Sequence, residues 1–388
     1  MRNPLSETIV SIKPSGIRKF FDIVSEMDDA ISLGVGEPDF DTPWRVREEA
    51  IYSLEQGRTF YTSNAGLMEL KREISSYLDK KYNLTYHPGK EILLTVGGSE
   101  AIDIALRAML DPGDEVLIPQ PSYVSYLPCT ILAGGKPVII NLKEENEFRL
   151  TAGELEEAIT DKTKILVLPF PNNPTGAILE REDLEALASV IEKHDIFVLT
   201  DEIYSELTYN EEGHCSIAAL PGMRERTVYI NGFSKAFAMT GWRLGYACAP
   251  RIILEQMLKI HQFAIMCAPT TSQYAAIEAI KSCDADVLAM REEYDHRRRY
   301  LMDRFKNMGI KCFEPFGAFY IFPSIQEFGI SSEEFATRFL ERKKVAVVPG
   351  TAFGDCGEGF LRISYAYSLD TLERAMDLLE EFVGELRQ

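Results

Sequence analysis

The sequence has few of the features that mark a metal-binding, secreted or membrane-spanning chain. Its 388 residues include seven cysteines and five histidines. The cysteines form no CxxC pair, and the histidines form no HxH or HExxH spacing. No apolar run reaches the roughly 18–20 residues that cross a bilayer, and the first residues lack the apolar core of a signal peptide. We therefore predict no metal site, no membrane association and a cytoplasmic protein with free thiols.

Positive charge is also scarce. The chain has 41 Lys and Arg residues against 60 Asp and Glu residues, a formal net charge of −19. Nucleic acids are bound by basic surfaces, because their phosphates need cationic partners. The balance therefore predicts no nucleic-acid partner, and the excess of negative charge indicates a soluble globular protein.

Apolar strands alternate with amphipathic helices along most of the chain. Helices are predicted at 66–82, from about Ser99 onward and at 181–194. Strands separated by helices need crossover connections, which give a mainly parallel sheet with helices on both faces. The run KILVLPF has no polar alternation, as expected for a strand that is buried on both faces. The seven predicted strands lie at 91–96, 115–119, 137–141, 164–170, 196–200, 226–231 and 243–249.

The pattern changes after about residue 285. A long helix at 286–308 is followed by short predicted strands at 310–313, 318–322, 344–348 and 360–364, and a terminal helix starts at 369. The predicted fold is therefore α/β with an additional, smaller α+β domain. The predicted domains are a segment at 1–44 that packs on the small domain or a partner subunit, a large domain at 45–285 and a small domain at 286–388.

Polar residues follow the predicted strands at the sheet edge where ligands of open parallel sheets bind. Gly98 and Ser99 follow the first strand and begin a helix, whose free N–H groups suit an anion such as phosphate. Asn173 lies in the rigid loop PNNPTG after the strand at 164–170. Taken alone, the first feature is equally typical of a Ser-capped helix and the second of a plain turn.

Three charged residues occupy the other strand ends. Asp201 ends a buried strand, where a carboxylate needs a cation, an N–H partner or a helix-capping role. Lys235 stands in apolar surroundings, which favour the neutral, nucleophilic amine, although a lysine that covers core with its stem is the alternative for this residue alone. Arg243 precedes the last strand of the sheet.

The strand ends together fit one cofactor better than any of them does alone. Pyridoxal 5′-phosphate has an aldehyde that needs an amine and a ring nitrogen that needs a carboxylate. Its phenolate oxygen needs hydrogen-bond donors, and its phosphate needs a helix N-terminus, hydroxyls and an arginine. The sequence therefore predicts a pyridoxal 5′-phosphate site at this edge of the sheet.

Three motifs in this order resemble the class I/II aminotransferases, which are fold-type-I pyridoxal-phosphate enzymes. They are NNPTG (172–176), DEIYSELTY (201–209) and SKAFAMTGWRLGY (234–246), and the resemblance extends from about residue 34 to residue 365. It implies a large domain with a mainly parallel seven-stranded sheet. It also implies a homodimer with a shared active site.

The resemblance implies a role for each matching residue. Lys235 would be the Schiff-base lysine and the proton carrier, Asp201 would pair with the ring nitrogen, and Arg362 would bind the substrate α-carboxylate. Tyr204 would join Lys235 and Asp201 as a catalytic residue. The remaining implied contacts are Tyr204 and Asn173 on the phenolate oxygen, Tyr123 on the ring, Gly98, Ser99, Ser234, Arg243 and a partner subunit's Tyr61 on the phosphate, and Gly36 and Asn173 near the substrate carboxylate.

Two positions depart from the family pattern. Gly232 stands where the family often has a phosphate-binding serine. Ser99 stands where some bacterial aspartate aminotransferases have a lysine for the distal carboxylate, which weakens a strict aspartate specificity. The segments SGIRKF (15–20), DEIYSELTY and GAFYIFPS (317–324) resemble a bacterial subgroup that contains N-acetyl-LL-diaminopimelate, aromatic and aspartate aminotransferases.

The leading functional hypothesis is transfer of an amino group between an L-amino acid and a 2-oxo acid, with 2-oxoglutarate as acceptor in a ping-pong reaction. One alternative is a C–S β-lyase or a related lyase or synthase on the same fold, which shares the lysine, aspartate and arginine. Another is a pyridoxal-binding regulator, but no helix-turn-helix or basic extension precedes residue 30. The side chain of the substrate is not predicted.

Overall fold

Twelve strands are present in the structure, a computed structural model that describes residues 2–14 and 30–388. Seven of them form the central sheet, three form a second sheet and two form a short pair. In chain order the strands are β1 (Ile31–Ser32), β2 (Ile92–Thr95), β3 (Glu115–Gln120), β4 (Lys136–Asn141), β5 (Thr163–Leu168), β6 (Phe197–Asp201), β7 (Thr227–Gly232), β8 (Gly245–Cys248), β9 (Tyr320–Ile321), β10 (Val345–Ala346), β11 (Val348–Pro349) and β12 (Leu361–Ser364).

Twelve α-helices surround the sheets within the described residues. Several have end signals that the sequence supplies: Thr151 and Glu154 form a capping box at one helix start, and Asn83 and Gly309 end two others in left-handed conformations. The helices are α1 (Glu7–Ser11), α2 (Trp44–Glu55), α3 (Met68–Tyr82), α4 (Gly97–Met109), α5 (Tyr126–Leu132), α6 (Ala152–Ala158), α7 (Arg181–Lys193), α8 (Arg251–Ala264), α9 (Thr270–Ser282), α10 (Asp284–Met308), α11 (Ser332–Lys343) and α12 (Leu369–Leu386).

The central sheet has the strand order β2-β8-β7-β6-β5-β3-β4. The strands from β7 to β4 pair in parallel, and β8 runs antiparallel to both of its neighbours. This confirms the predicted mainly parallel seven-stranded sheet. Because β8 alone is reversed, its first residue lies at the edge where the parallel strands end, and Arg243 just before β8 therefore lies at that edge too.

Both faces of the central sheet are buried, as its apolar strands predict, except at the edge strand β4, which is largely exposed. Adjacent residues of one strand belong to different cores: Val116 of β3 packs with α4 and α8, and Leu117 packs with α7. Ile165 and Leu166 of β5 divide in the same way. The strands are held between two helical layers, so their polar terminal residues are fixed in place.

The later part of the chain builds the smaller sheets. Strand β12 lies between β11 and β9 and is antiparallel to both, while β1 pairs in parallel with β10. Helix α11 contacts β10 and β11, and α12 packs against both α11 and α10. The predicted strand at 310–313 is wrong: the segment is irregular, and one backbone hydrogen bond, from Ser324 N–H to the Lys311 carbonyl at 2.9 Å, joins it to the segment after β9.

The bounds of the three predicted domains stay predictions. The pairing of β1 with β10 attaches the part of the N-terminal segment after residue 30 to the small sheets. The motif SGIRKF lies outside the described residues. In the described ranges, no helix is both long and apolar enough to cross a membrane.

Candidate active site

A cavity of about 630 Å³ opens at the carboxyl edge of the central sheet. Its walls come from the ends of β6 and β7, the start of α4 and two residues of the three-stranded sheet. Eleven of the twelve predicted site residues line it, and Tyr61 does not. The eleven are Gly36, Gly98, Ser99, Tyr123, Asn173, Asp201, Tyr204, Ser234, Lys235, Arg243 and Arg362.

Lys235 is held in the cavity by one backbone acceptor and two aromatic rings. Its Nζ donates to the Gly36 carbonyl at 2.6 Å and lies 5.9 Å from the centre of the Tyr204 ring and 5.7 Å from that of Phe319. Burial lowers the pKa of Lys235 from 10.5 to about 8. Glu37 opposes this shift, and the two cavity arginines, Arg362 and Arg243, reinforce it. A substantial fraction of the amine is therefore neutral near physiological pH, as a nucleophile or base requires.

Asp201 ends β6 with its carboxylate buried in the cavity wall. The Tyr126 hydroxyl donates to its Oδ2 at 2.8 Å, and the Ile203 N–H approaches Oδ1 at 3.3 Å. Burial raises the pKa of Asp201 to about 6, and these two hydrogen bonds act in the opposite direction. The carboxylate therefore has donors on both oxygens but contacts no cation among the described residues, which suits a site that receives a protonated ring nitrogen.

Two tyrosines form a hydrogen-bonded pair on the opposite wall. The hydroxyls of Tyr204 and Tyr320 are 2.9 Å apart, and both side chains are buried. Gly36 leaves space for this pair, because a Cβ at that position would lie 2.5 Å from the Tyr320 hydroxyl. Tyr204 thus has a fixed hydroxyl, as a donor to a phenolate oxygen would need.

Arg362 projects from β12 into the cavity and is almost fully buried. One terminal nitrogen donates to Asn173 Oδ1 at 3.0 Å, and the other donates to the Gly34 carbonyl. Its Nε finds no acceptor among the described residues. A buried guanidinium with an unpaired donor is costly unless an anion completes it, so Arg362 fits a carboxylate ligand. Because Asn173 accepts through its oxygen, its NH₂ group remains the donor.

The other end of the cavity is built around the start of α4. Arg243 has a left-handed backbone with φ 50°, and one of its terminal nitrogens donates to the Thr240 carbonyl at 2.9 Å. Its guanidinium lies against Gly97, where a Cβ would be 2.7 Å from a terminal nitrogen. A helix N-terminus and an arginine thus share one end of the cavity, together with Ser234 and Ser99. This is a suitable arrangement for a phosphate.

Gly232 is fully buried and closely packed. It pairs with Gly245 of β8, and a Cβ on Gly232 would lie 3.0 Å from Gly245 Cα and 3.1 Å from the Leu244 carbonyl oxygen. A Cβ on Gly245 would in turn lie 2.6 Å from the backbone of Gly97 and Gly98. Residue 232, where the family often has a serine, is therefore one of several adjacent glycines that allow the backbones of β7, β8 and α4 to contact each other.

Tyr61 is placed differently from the other predicted site residues. Its side chain is 79% exposed, and Phe60 beside it is 81% exposed. The structure therefore does not bring Tyr61 into the cavity of its own chain. Its predicted contact with a phosphate in a second copy stays a prediction.

Two residues of the cavity were missed as site residues in the sequence. Tyr126, which donates to Asp201, is the last residue of PSYVSY, in which only Tyr123 was given a role. Tyr320, which pairs with Tyr204, lies in GAFYIFPS. Each is an aromatic residue close to a recognised motif, and that proximity is the signal by which they could have been found.

The donor set fits pyridoxal 5′-phosphate. The structure supplies an amine, a buried carboxylate, and a helix start with an arginine. Within residues 2–14 and 30–388, that carboxylate contacts no cation, and a further arginine has a buried nitrogen without a partner. Within the described part of the chain, no group of three or more His, Cys, Asp and Glu residues is arranged to hold a metal ion.

Comparison with known proteins gives consistent matches over the whole chain. The family model "Aminotransferase class I and II" matches residues 28–379. An aspartate aminotransferase of Pyrococcus abyssi is 48% identical over 383 residues, covering 98% of each chain. The "Probable N-acetyl-LL-diaminopimelate aminotransferase" of Bacillus subtilis is 45% identical and covers 100% of this chain and 98% of its own.

A solved structure agrees with these matches. The aromatic aminotransferase from Pyrococcus horikoshii superimposes with a TM-score of 0.91 at 46% identity, covering 96% of this chain and 99% of that one. The predicted family, fold and subgroup are confirmed by the match of the family model and by these three relatives.

Proposed function

The chain belongs to the class I and II aminotransferases, a family of enzymes that depend on pyridoxal phosphate, and we propose that it binds pyridoxal 5′-phosphate around Lys235. We further propose that it moves an amino group from an L-amino acid to 2-oxoglutarate. The observation that carries this proposal is the arrangement of Lys235, Arg243 and Arg362 on one cavity. Both arginines lower the pKa of Lys235, so both lie near its amine. Arg243 would bind the phosphate of the cofactor, and Arg362 would bind the carboxylate of the substrate.

The residues of the chain divide the work of holding the cofactor. Arg243, Ser234 and the N–H groups at the start of α4 would hold the phosphate. Asp201, whose carboxylate accepts the Tyr126 hydroxyl, would hold the proton on the ring nitrogen. Tyr204 and the amide NH₂ of Asn173 would donate to the phenolate oxygen.

The bound cofactor would supply an aldehyde that reacts with amines and a ring that withdraws electrons from the substrate α-carbon. Arg362 would bind and orient the α-carboxylate through its fork and so fix which bond of the α-carbon faces Lys235. Lys235 Nζ would accept the α-proton in its neutral form and later return it. Its low pKa favours this role, since a general base works best when its pKa is near the working pH.

The cavity favours an amino donor with an uncharged side chain. The cations among its described lining residues are Lys235, Arg243 and Arg362, and each already has a role. Ser99 offers a hydroxyl instead of a fourth positive charge. The proposed acceptor, 2-oxoglutarate, has a second carboxylate and would rely on neutral hydrogen-bond donors of the cavity.

We also infer that the enzyme is a homodimer with shared sites. Phe60, Tyr61 and Phe263 expose 81%, 79% and 86% of their surface, which is unusual for large aromatic side chains unless a partner covers them. A measurement of mass in solution tests this inference, and a monomer at micromolar concentration would contradict it.

The proposed reaction is tested by its two halves. The protein, loaded with pyridoxal 5′-phosphate, is mixed with one amino acid at a time and without any oxo acid. One equivalent of 2-oxo acid per site should form, with a change in the cofactor absorbance that 2-oxoglutarate reverses. Initial rates at several concentrations of both substrates should give parallel double-reciprocal lines, as a ping-pong reaction requires.

Variants assign the base. Lys235→Ala should retain bound cofactor but lose amino transfer by at least about 10²–10⁴-fold, the usual contribution of a general base. Lys306→Ala changes an exposed lysine of α10 and should behave as wild type. A normal rate in Lys235→Ala would contradict the assigned base. Continuous release of ammonia without an oxo acid would instead indicate a lyase.

A further inference from the structure

The turn that enters α4 contains two adjacent glycines, yet it must present its N–H groups in fixed directions. Gly97 has φ +78°, a conformation that few other residues adopt, and Gly98 follows it. Glycine pairs lose much backbone freedom on folding, so their orientation needs support from other groups. Thr95 supplies one such contact, because its hydroxyl donates to the Gly97 carbonyl at 2.9 Å.

Glu100 supplies a second contact across the same turn. Its Oε2 accepts the N–H of Val96, the residue before the helix, at 2.5 Å. Its Oε1 lies 2.6 Å from Nδ1 of His261, a residue of α8. One carboxylate thus connects the residue before the glycine pair, the first turn of α4 and a neighbouring helix.

His261 is an unusual partner for a carboxylate that serves only as a helix cap. Its side chain is completely buried, and its Nε2 has no hydrogen-bond partner among the described residues. Since a carboxylate can only accept, Nδ1 carries the hydrogen in this contact. Leaving the other ring nitrogen unpaired costs free energy. A core position that only needed filling would be filled at lower cost by an apolar side chain.

We propose that Glu100 and His261 are positioning residues for the phosphate group of the cofactor. They hold the Val96–Gly98 turn, in which the Val96 N–H is bonded to Glu100, so that the N–H groups at the start of α4 point at one place. Neither residue lines the cavity. This inference rests on the proposed function, because it requires that pyridoxal 5′-phosphate binds with its phosphate at the start of α4. The pair matters more in this chain because Gly232 provides no hydroxyl to the phosphate.

A phosphate-specific measurement separates this role from general support of α4. Dissociation constants are measured for pyridoxal 5′-phosphate and for pyridoxal, which has the same aldehyde and ring but no phosphate. Glu100→Ala removes both contacts of the carboxylate and should weaken binding of pyridoxal 5′-phosphate by about tenfold, as loss of one hydrogen bond to a charged group does. Binding of pyridoxal should stay within about twofold of the wild-type value.

Two further variants sharpen the test. Glu100→Gln keeps a side-chain oxygen that accepts the Val96 N–H, so it should restore most of the affinity for pyridoxal 5′-phosphate. His261→Phe keeps the ring volume and removes both nitrogens, so it should shift the ratio of the two affinities in the same direction as Glu100→Ala. Glu154→Ala is the matched control, because Glu154 accepts the Thr151 N–H at 3.1 Å in a similar cap on α6, away from the cavity. It should leave the ratio unchanged.

The outcomes are distinct. An unchanged ratio in Glu100→Ala and His261→Phe, or equal losses for both ligands, overturns the positioning role. Glu100→Gln as weak as Glu100→Ala would show that charge and not position is decisive, and this also overturns it. If Glu100→Ala does not fold, Glu100→Asp, which shortens the side chain by one methylene, carries the same measurement. Failure of the unaltered protein to bind pyridoxal 5′-phosphate refutes the proposed function itself.

Discussion

Replacement of Lys235 by methionine should stabilise the cofactor-free protein at neutral pH. The stabilisation should be much smaller at alkaline pH. Methionine has nearly the length of the lysine stem and no charge. The lysine is held where burial lowers its pKa from 10.5 to about 8. The folded state therefore disfavours the ammonium form, and below pH 8 the protein is less stable than it would be with an uncharged residue in this place.

The size of the effect follows from the two pKa values. One pKa unit corresponds to about 1.4 kcal/mol, so at pH 7 the charged lysine reduces the free energy of unfolding by about 3 kcal/mol. Between pH 8 and 10.5 the unfolded chain binds the proton and the folded chain does not, so the penalty fades as the pH rises. At pH 10 it is less than about 1 kcal/mol. Loss of the hydrogen bond to the Gly36 carbonyl subtracts about 1 kcal/mol from the gain at either pH.

Urea unfolding of the cofactor-free protein and of Lys235→Met, at equal concentration and at pH 7 and pH 10, measures this difference. The stability gained by the variant should be greater at pH 7 than at pH 10 by about 2–3 kcal/mol. Lys306→Met, at an exposed position of α10, serves as the control and should show no such change. An equal effect of Lys235→Met at both pH values would refute the argument that burial of this lysine sets its reactivity.

Two other substitutions test the two ends of the cavity. Gly232→Ser restores the hydroxyl that the family often has, but its Cβ would lie 3.0 Å from Gly245 Cα. It should therefore lower the free energy of unfolding by about 1–3 kcal/mol without tightening the binding of pyridoxal 5′-phosphate. Gly153→Ser, where a Cβ meets nothing within 4 Å, is its control, and a stable variant with tighter binding would contradict the steric argument. Arg362→Lys removes the two terminal nitrogens that donate to Asn173 and Gly34. The KM for the amino acid should therefore rise by about 10–100-fold, while the affinity for the cofactor stays unchanged. An unchanged KM would exclude Arg362 as the carboxylate-binding residue.

The large sheet was predictable because its strands are long, apolar and separated by amphipathic helices. The edge at which the cavity lies followed from the polar residues that end those strands, among them Asp201 and Asn173. The short strands of the smaller sheets were less predictable. Strands β9, β10 and β11 have only two residues each, so no alternation can develop. The segment at 310–313, which the sequence predicts as a strand, is irregular.

The supporting residues could not be predicted for a different reason. Lys235 and Arg243 lie eight positions apart in the motif SKAFAMTGWRLGY, and both are predicted to contact the same ligand. Glu100 and His261 are 161 positions apart, and Tyr126 and Asp201 are 75 apart. Each pair is joined only when α4 meets α8 or when the start of α5 meets the end of β6. The spacing of such contacts is fixed by the packing of the whole domain, and no local pattern records it.

The end of the cavity at Arg243 and the start of α4, where we propose that the phosphate binds, combines several features that are unfavourable one by one. Arg243 has a left-handed backbone, which costs a non-glycine residue about 1–2 kcal/mol, and Gly97 also has a positive φ. Gly232 and Gly245 leave no room for side chains because their neighbours are backbone atoms. Such features persist where the surrounding structure imposes them and where they serve a site. Their joint effect is to bring a guanidinium and a helix start to one point, and this geometry explains why a serine at residue 232 would disturb more than it adds.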